Sequence, residues 1–369
     1  MANTLTSVTP QLLAQGLLAL REESVMARLV NRDYDGMAAQ KGATVDVPIP
    51  SAITAAAVTA ANTAPSTADI SPTSVAISLD QWYEAPFYLT DKELLEVSVG
   101  TLPMQASAAV KAIANNIDSY ILGKYTGVYG YEGTAGTTPF ASTTAAATST
   151  RKTLNNQLAP VGDRRLVVDP DAEAEALELR AFQDASFRGD IDGIVNGQIG
   201  RKLGFDWFMD QNVPTHTTTG TGTVIVNDAS TAVGDTTITW DGGGTAPALG
   251  DVFTVAGDTQ TYVVVSSTST VITMLPTLQS VAANNAALTF KATHVVNLGF
   301  HRDAFALAMR PLENAVDGLG NQISVATDPI SGVSMRLEVS REHKRTRYSF
   351  DVLYGAKLVR AELACRMAG

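Results

Sequence analysis

GATVDVPIP at residues 42–50 and SVAISL at residues 74–79 are the stretches on which the fold turns. In the first, Val45, Val47 and Ile49 share one face, with Thr44 and Asp46 on the other. In the second, Val75, Ile77 and Leu79 alternate in the same way. A period of two is the mark of a half-buried strand. Between them, residues 51–73 read SAITAAAVTAANTAPSTADISPT, with no lysine, arginine or aromatic and with Asp69 as the one charge. Two strands joined by such a tip form an extended loop over 36–90, a long hairpin with no third strand nearby to cover it. Isolated two-stranded hairpins are marginal in water, and a structureless loop of this length is uncommon inside a compact domain. The hairpin is therefore expected to lie on another subunit, to order only there, and to offer Val45, Val47, Ile49, Val75, Ile77 and Leu79 as interface residues. The uncharged tip packs against protein without desolvating an ammonium or guanidinium group.

On the N-terminal side, residues 1–35 read as an arm. Thr9 is placed to cap a helix and Pro10 to open it. Leu13, Leu17 and Leu20 share a face, and the segment is too short to own a core. Leu13 and Leu17 are thus candidate contacts to a neighbour. On the C-terminal side, residues 91–146 hold a long helix over 101–123 with Val110, Ile113, Ile117 and Ile121 as a stripe and Gly123 as its stop. Residues 147–217 alternate strand and helix. Within them Asp169, Asp171, Glu173 and Glu175 sit at a helix start, where the dipole accounts for carboxylates without a metal.

Residues 218–292 change character. Threonine and valine dominate, and six short strands fall near GTVIVN, TTITW, DVFTVA, TYVVVSS, TVITML and ALTFK. Even spacing with turn signals predicts a small all-β barrel, inserted because the α/β pattern resumes over 293–335. Its expected core is Val224, Val226, Ile238, Phe253, Val255, Val263, Val265, Ile272 and Leu288, its ends close together, and its stability alone weak. The barrel carries five aspartates against Lys291, whereas the strand-rich end, 336–369, carries eight basic and four acidic residues. Its basic cluster Arg341, Arg345 and Arg347 is expected to pair with carboxylates of this or a neighbouring subunit; it lacks the interleaved aromatics of a nucleic-acid patch.

Composition narrows the chemistry. The chain has 369 residues, a net charge of −11, one cysteine (Cys365) and four histidines. A disulfide framework and a multi-cysteine metal site are excluded. No basic residue precedes Arg21, so a secretory n-region is not expected, and no apolar run is long enough to span a bilayer. No nucleophile elbow, phosphate loop or metal helix appears. His301-Arg302-Asp303 follows a strand without a nucleophile beside it. An enzyme is not expected, and neither a cofactor nor a metal is called for. Arms and hairpins without local cores belong to assemblies.

Six blocks in order resemble the major capsid proteins of tailed bacteriophages, in the subgroup with an inserted β-barrel. VMARLVNRDYDG (25–36) followed by KGATVDVPIP (41–50) is similar to that family's N-arm and extended loop. QWYEAPFYLTDKEL (81–94) resembles the return strand toward the spine helix, and RKLGFDWFMDQNVPTHT (201–217) the apical stretch before the insertion. GDVFTVAGDTQTYVV (250–264) resembles a barrel hairpin, and NLGFHRDAFALAMRPL (297–312) the return to the apical domain. The resemblance implies an α+β fold of N-arm (1–35), extended loop (36–90), peripheral domain with spine helix (91–146), apical domain (147–217 and 293–335), inserted barrel (218–292) and completing C-terminal strands (336–369). It implies pentamers and hexamers of an icosahedral head around double-stranded DNA, with scaffolding and portal proteins as partners, made in the cytoplasm of a bacterial host. Some relatives cross-link through a lysine of the extended loop; the tip here has none. The short arm leaves no room for a fused scaffold, which is expected as a separate chain. Tail-tube, shell or surface-layer proteins are the alternative class.

Overall fold

The computed structural model describes residues 25–34, 44–50, 53, 55, 72–96, 101–184, 197, 199–310, 312, 321–327 and 333–369. Leu13 and Leu17, and the tip of the extended loop apart from Ile53, Ala55, Pro72 and Thr73, lie outside the described residues.

Helix α1 (Met26–Leu29) buries Met26, Ala27 and Leu29. The hairpin is present: β1 (Thr44–Ile49) and β2 (Thr73–Ser78) pair antiparallel from Thr44↔Ser78 to Ile49↔Thr73. Pro48 is tolerated in β1 because, among the described residues, that strand has a partner on one side only. Strand β3 (Gln81–Thr90), on sequence grounds the end of the extended loop, instead joins a sheet of the body. Helices α2 (Asp91–Glu96) and α3 (Thr101–Leu122) follow. Val110, Ile113, Ile117 and Ile121 of α3 are all buried in the main core, and a 3-10 turn takes over at Gly123–Gly127.

Among the described residues the body holds two sheets. A seven-stranded sheet has the order β4 (Gly130–Gly133), β20 (Ala364–Ala368), β15 (His294–His301), β5 (Arg164–Val168), β7 (Phe205–Met209), β6 (Arg201–Lys202), with β8 (Thr215–His216) also on β15. Helices α4 (Ala145–Asn156), α5 (Pro170–Glu178) and α6 (Arg180–Gln183) belong to this part of the chain. A Cβ on Gly299 of β15 would meet Thr150 Cγ2 of α4 at 2.5 Å, so glycine is what lets helix and sheet close up there.

A five-stranded sheet has the order β16 (Phe305–Arg310), β19 (Arg345–Leu358), β18 (Ser334–Glu342), β17 (Gln322–Thr327), with β3 along the other side of β19. The 336–369 stretch thus divides: β18 and β19 enter this sheet and β20 the other. Core-facing Tyr348, Phe350, Val352 and Tyr354 of β19 pack with Phe305, Leu307 and Met309 of β16 in the core that also takes the α3 stripe.

The insertion is a closed six-stranded barrel, β10-β13-β12-β11-β14-β9, built from β9 (Val224–Val226), β10 (Thr237–Asp241), β11 (Val252–Val255), β12 (Thr261–Ser267), β13 (Val271–Leu275) and β14 (Ala287–Phe290). Val224, Val226, Ile238, Phe253, Val255, Ile272 and Leu288 fill it as expected, with Trp240, Tyr262, Val264 and Met274 besides. Two expected core residues are corrected. A bulge between Val264 and Ser266 turns Val265 outward, 38 % exposed. Val263 is buried on the outside of the barrel, against Tyr129 and Tyr131 of the body. The ends do meet: Thr218 N–H and Oγ1 donate to Thr293 Oγ1 and Lys291 O at 3.2 and 2.8 Å.

Candidate assembly surfaces

The hairpin has a seat on its own chain. Val45, Val47, Ile77 and Leu79 bury against Ala306 and Ala308 of β16, with Tyr34, Leu353 and Val359 at the edge. β16 turns its large residues to the core and its alanines to the hairpin. Ala308 pairs with Gly355, where a Cβ would stand 2.0 Å from Ser78 O. This small-residue patch admits the hairpin at close range, and Lys357 Nζ donates to Ala76 O at 3.1 Å. The expectation of a hairpin with no core of its own is therefore corrected. Ile49 and Val75 are half-buried.

The arm ends on the same edge. Asn31 N–H donates to Phe305 O and Leu307 N–H to Asn31 O, at 3.0 and 2.9 Å. Asn31 Nδ2 donates to Asp303 Oδ1 at 2.6 Å, and Arg302 pairs with Asp33 at 2.7 Å. His301 Nδ1 accepts from Asp303 N at 3.2 Å. The His-Arg-Asp run thus ties down the arm. Asp118 of α3, fully buried, accepts from Val25 and Met26 N–H at 3.4 and 3.3 Å. A groove of about 480 Å³ opens between the arm end, β1 and residues such as Leu158 and His301.

The basic cluster lies on the outer face of the five-stranded sheet and along its turn. Arg341 pairs with Asp91 at 2.5 Å, Arg345 with Glu342, and Arg347 with Glu84 at 2.6 Å. The side-chain hydrogen bond from Arg341 holds the Asp91 carboxyl below the usual range. Arg336 pairs with Asp351, itself buried, at 2.5 Å. Beside them, β3 exposes Trp82, Tyr83 and Tyr88, and the Arg345 guanidinium lies 4.5 Å over the Tyr88 ring. Sequence reasoning missed these aromatics; the alternation in QWYEAPFYLT was the available signal. All three arginines have carboxylates of their own chain, so the surface is no cationic wall. Free subunits are expected to bind duplex DNA no tighter than roughly micromolar at physiological salt, and Arg341→Ala/Arg345→Ala/Arg347→Ala to leave this unchanged in fluorescence anisotropy. Tight binding with a steep salt slope, abolished in the triple variant, contradicts the pairing.

A buried polar cluster fastens the barrel to the body. Asp251, fully buried, accepts from His216 Nε2 at 2.9 Å, from Gly220 and Ala248 N–H at 2.9 Å each, and from Thr219 Oγ1 at 2.9 Å. Burial alone would raise its carboxyl; hydrogen bonds from His216, Ala248, Gly220 and Thr219 outweigh that and hold it below the usual range. Arg366 of β20, also fully buried, donates to Gly250 O and Thr126 O at 2.8 and 3.3 Å. Burial pulls its guanidinium down to about 10. Tyr129, Tyr131, Val252, Val263 and Ala368 complete the junction. Among the described residues no group of three or more His, Cys, Asp or Glu is placed to hold a metal, and no helix is long and apolar enough to cross a membrane.

No known family model matches the sequence, and no curated protein matches it. Solved structures do. A chain from Mycobacterium phage Che8 is 18% identical, with 93% of this chain and 90% of that one covered at a TM-score of 0.54. A chain from the capsid structure of the Cyanophage P-SCSP1u is 12% identical, with 94% and 88% covered at 0.52. The fold of this chain is one it shares with these phage chains, one of them from a capsid.

Proposed function

We propose that this chain is a major capsid protein that assembles into the pentamers and hexamers of an icosahedral phage head enclosing double-stranded DNA. The observation that carries this reading is the likeness to a phage capsid chain over about nine-tenths of both chains. Exposed Tyr88 beneath Arg345, with Trp82 and Tyr83 exposed farther along the same strand, supports it, because tryptophan, tyrosine and arginine are the residues enriched where proteins meet. Modest contacts of this kind sum around a closed symmetric shell.

In this reading the interface draws on Leu13 and Leu17 of the arm, on the hairpin beyond its own seat, and on the sheet face of Arg341, Arg345 and Arg347. The hairpin residues Val45, Val47, Ile77 and Leu79 hold the paired strands to their own subunit. Scaffolding and portal proteins are the assembly partners, DNA is contacted without sequence preference, and no residue acts catalytically. Expression in a bacterial cytoplasm, with the scaffold supplied as a separate chain, is the experiment: closed particles of one size are expected in negative-stain images.

A further inference from the structure

The two strands that carry the chain into and out of the barrel are β8 and β15, and they pair at His216↔His294. Both histidines are buried, with ring centroids 5.4 Å apart. Their hydrogen bonds differ in kind. His216 is satisfied on both sides: Nε2–H donates to the Asp251 carboxylate, and Nδ1 stands 3.0 Å from the Tyr125 hydroxyl. His294 is satisfied on one side only. Its Nδ1 lies 2.7 Å from Ala292 O; a carbonyl only accepts, so the ring proton is on Nδ1. Nε2 is then a bare lone pair, buried and without a protein partner.

Asp251 apart, the groups around that ring are cationic or neutral. From β20 comes Arg366, its guanidinium 4.9 Å over the Tyr125 ring of the 3-10 turn and its own Nε without a partner. From β4 comes Tyr131, edge-on to the His294 ring at 5.1 Å. Lys291, on the exit strand's approach, lies 5.5 Å from the same tyrosine ring. Burial keeps the thiol of Cys365 and the phenols of Tyr125 and Tyr131 protonated by raising each of them. Asp251 is the carboxylate whose charge reaches the ring, and its hydrogen bonds are already spent on His216, Thr219, Gly220 and Ala248.

We propose that His294 is an acid-sensitive latch between the inserted barrel and the body of the subunit: a proton taken from solvent onto its buried Nε2 sets a second cation beside Arg366 and releases the barrel's stem. Well above pH 6.5 the ring is neutral whether the stem is docked or open. Burial, with Arg366 and His216 beside it and only partly opposed by the Ala292 carbonyl and the Asp251 charge, lowers the docked ring to about 4. Between these values the open stem binds a proton that the docked stem does not. Falling pH therefore shifts the balance toward opening through that window, which lies above the one in which Asp251 loses its charge.

Hydrogen exchange of the full chain, corrected for the pH dependence of the chemical rate, tests this. At residues 215–220 and 291–296, exchange is expected to rise roughly tenfold or more between pH 6.5 and pH 4.5. In His294→Asn, whose amide still donates to Ala292 O but takes no proton, the rise is absent. An equal rise in the variant, or none in the parent chain, overturns the proposal. Should the variant not fold, an NMR titration of the His294 ring in the parent chain decides. A midpoint near 4 that coincides with stem opening supports the latch, and a midpoint near 6.5 overturns it.

Discussion

Deleting residues 53–72 leaves a folded subunit and removes particle formation. The ladder from Thr44↔Ser78 to Ile49↔Thr73 lies wholly outside the deletion. So do Val45, Val47, Ile77 and Leu79, whose burial on Ala306 and Ala308 is worth roughly 1.5–3 kcal/mol per side chain at most. Pro50, Ser51 and Ala52 remain as a three-residue turn, a length hairpins commonly use. Thermal unfolding should shift by no more than a few degrees, whereas sedimentation should show subunits or small oligomers in place of shells. The seat also sets what exchange reports: in free subunits, amides of 45–49 and 74–78 are protected, contrary to what an unsupported hairpin would give. Shells formed at normal yield by the deleted chain would remove the extended loop from assembly.

Asp251→Ala is expected to cost about 3–5 kcal/mol, as breaking a buried charge network does. The substitution strands four donors at once, the N–H groups of Gly220 and Ala248, Thr219 Oγ1 and His216 Nε2, and leaves Arg366 without the carboxylate at the junction. Against a total stability of about 5–15 kcal/mol, that is a large fraction. Because the folded carboxyl is held below its free value, its contribution is complete at pH 7 and is lost as pH falls below about 4 through the folded value. Urea unfolding at pH 7 measures the loss, and a variant within about 1 kcal/mol of the parent chain would show that the stem is held by its apolar contacts alone.

The barrel was legible because its information is local: threonine-valine alternation and turn residues specify six strands without reference to the rest of the chain. Its two corrections come from what period-two counting does not see, a bulge that turns Val265 out and a body surface that covers Val263. The α3 stripe was legible for the same reason. The hairpin's seat was not, since Ala306, Ala308 and Gly355 lie far along the chain and small residues carry no hydrophobic signal. Nor was the junction. His216, Asp251, His294 and Arg366 are scattered singly in the sequence, and Arg366, there only one of the eight basic residues of 336–369, is fully buried. Arg341, Arg345 and Arg347 were legible as ion-pair formers by type, but their partners Asp91 and Glu84 are fixed by the pairing of β3 with β19.

Electron microscopy and sedimentation of the purified chain, alone and coexpressed with its scaffold, test the central claim most directly. Closed icosahedral particles of uniform size, built from pentamers and hexamers, are the predicted result. A compact monomer or dimer under every assembly condition, or open tubes and sheets, would contradict it.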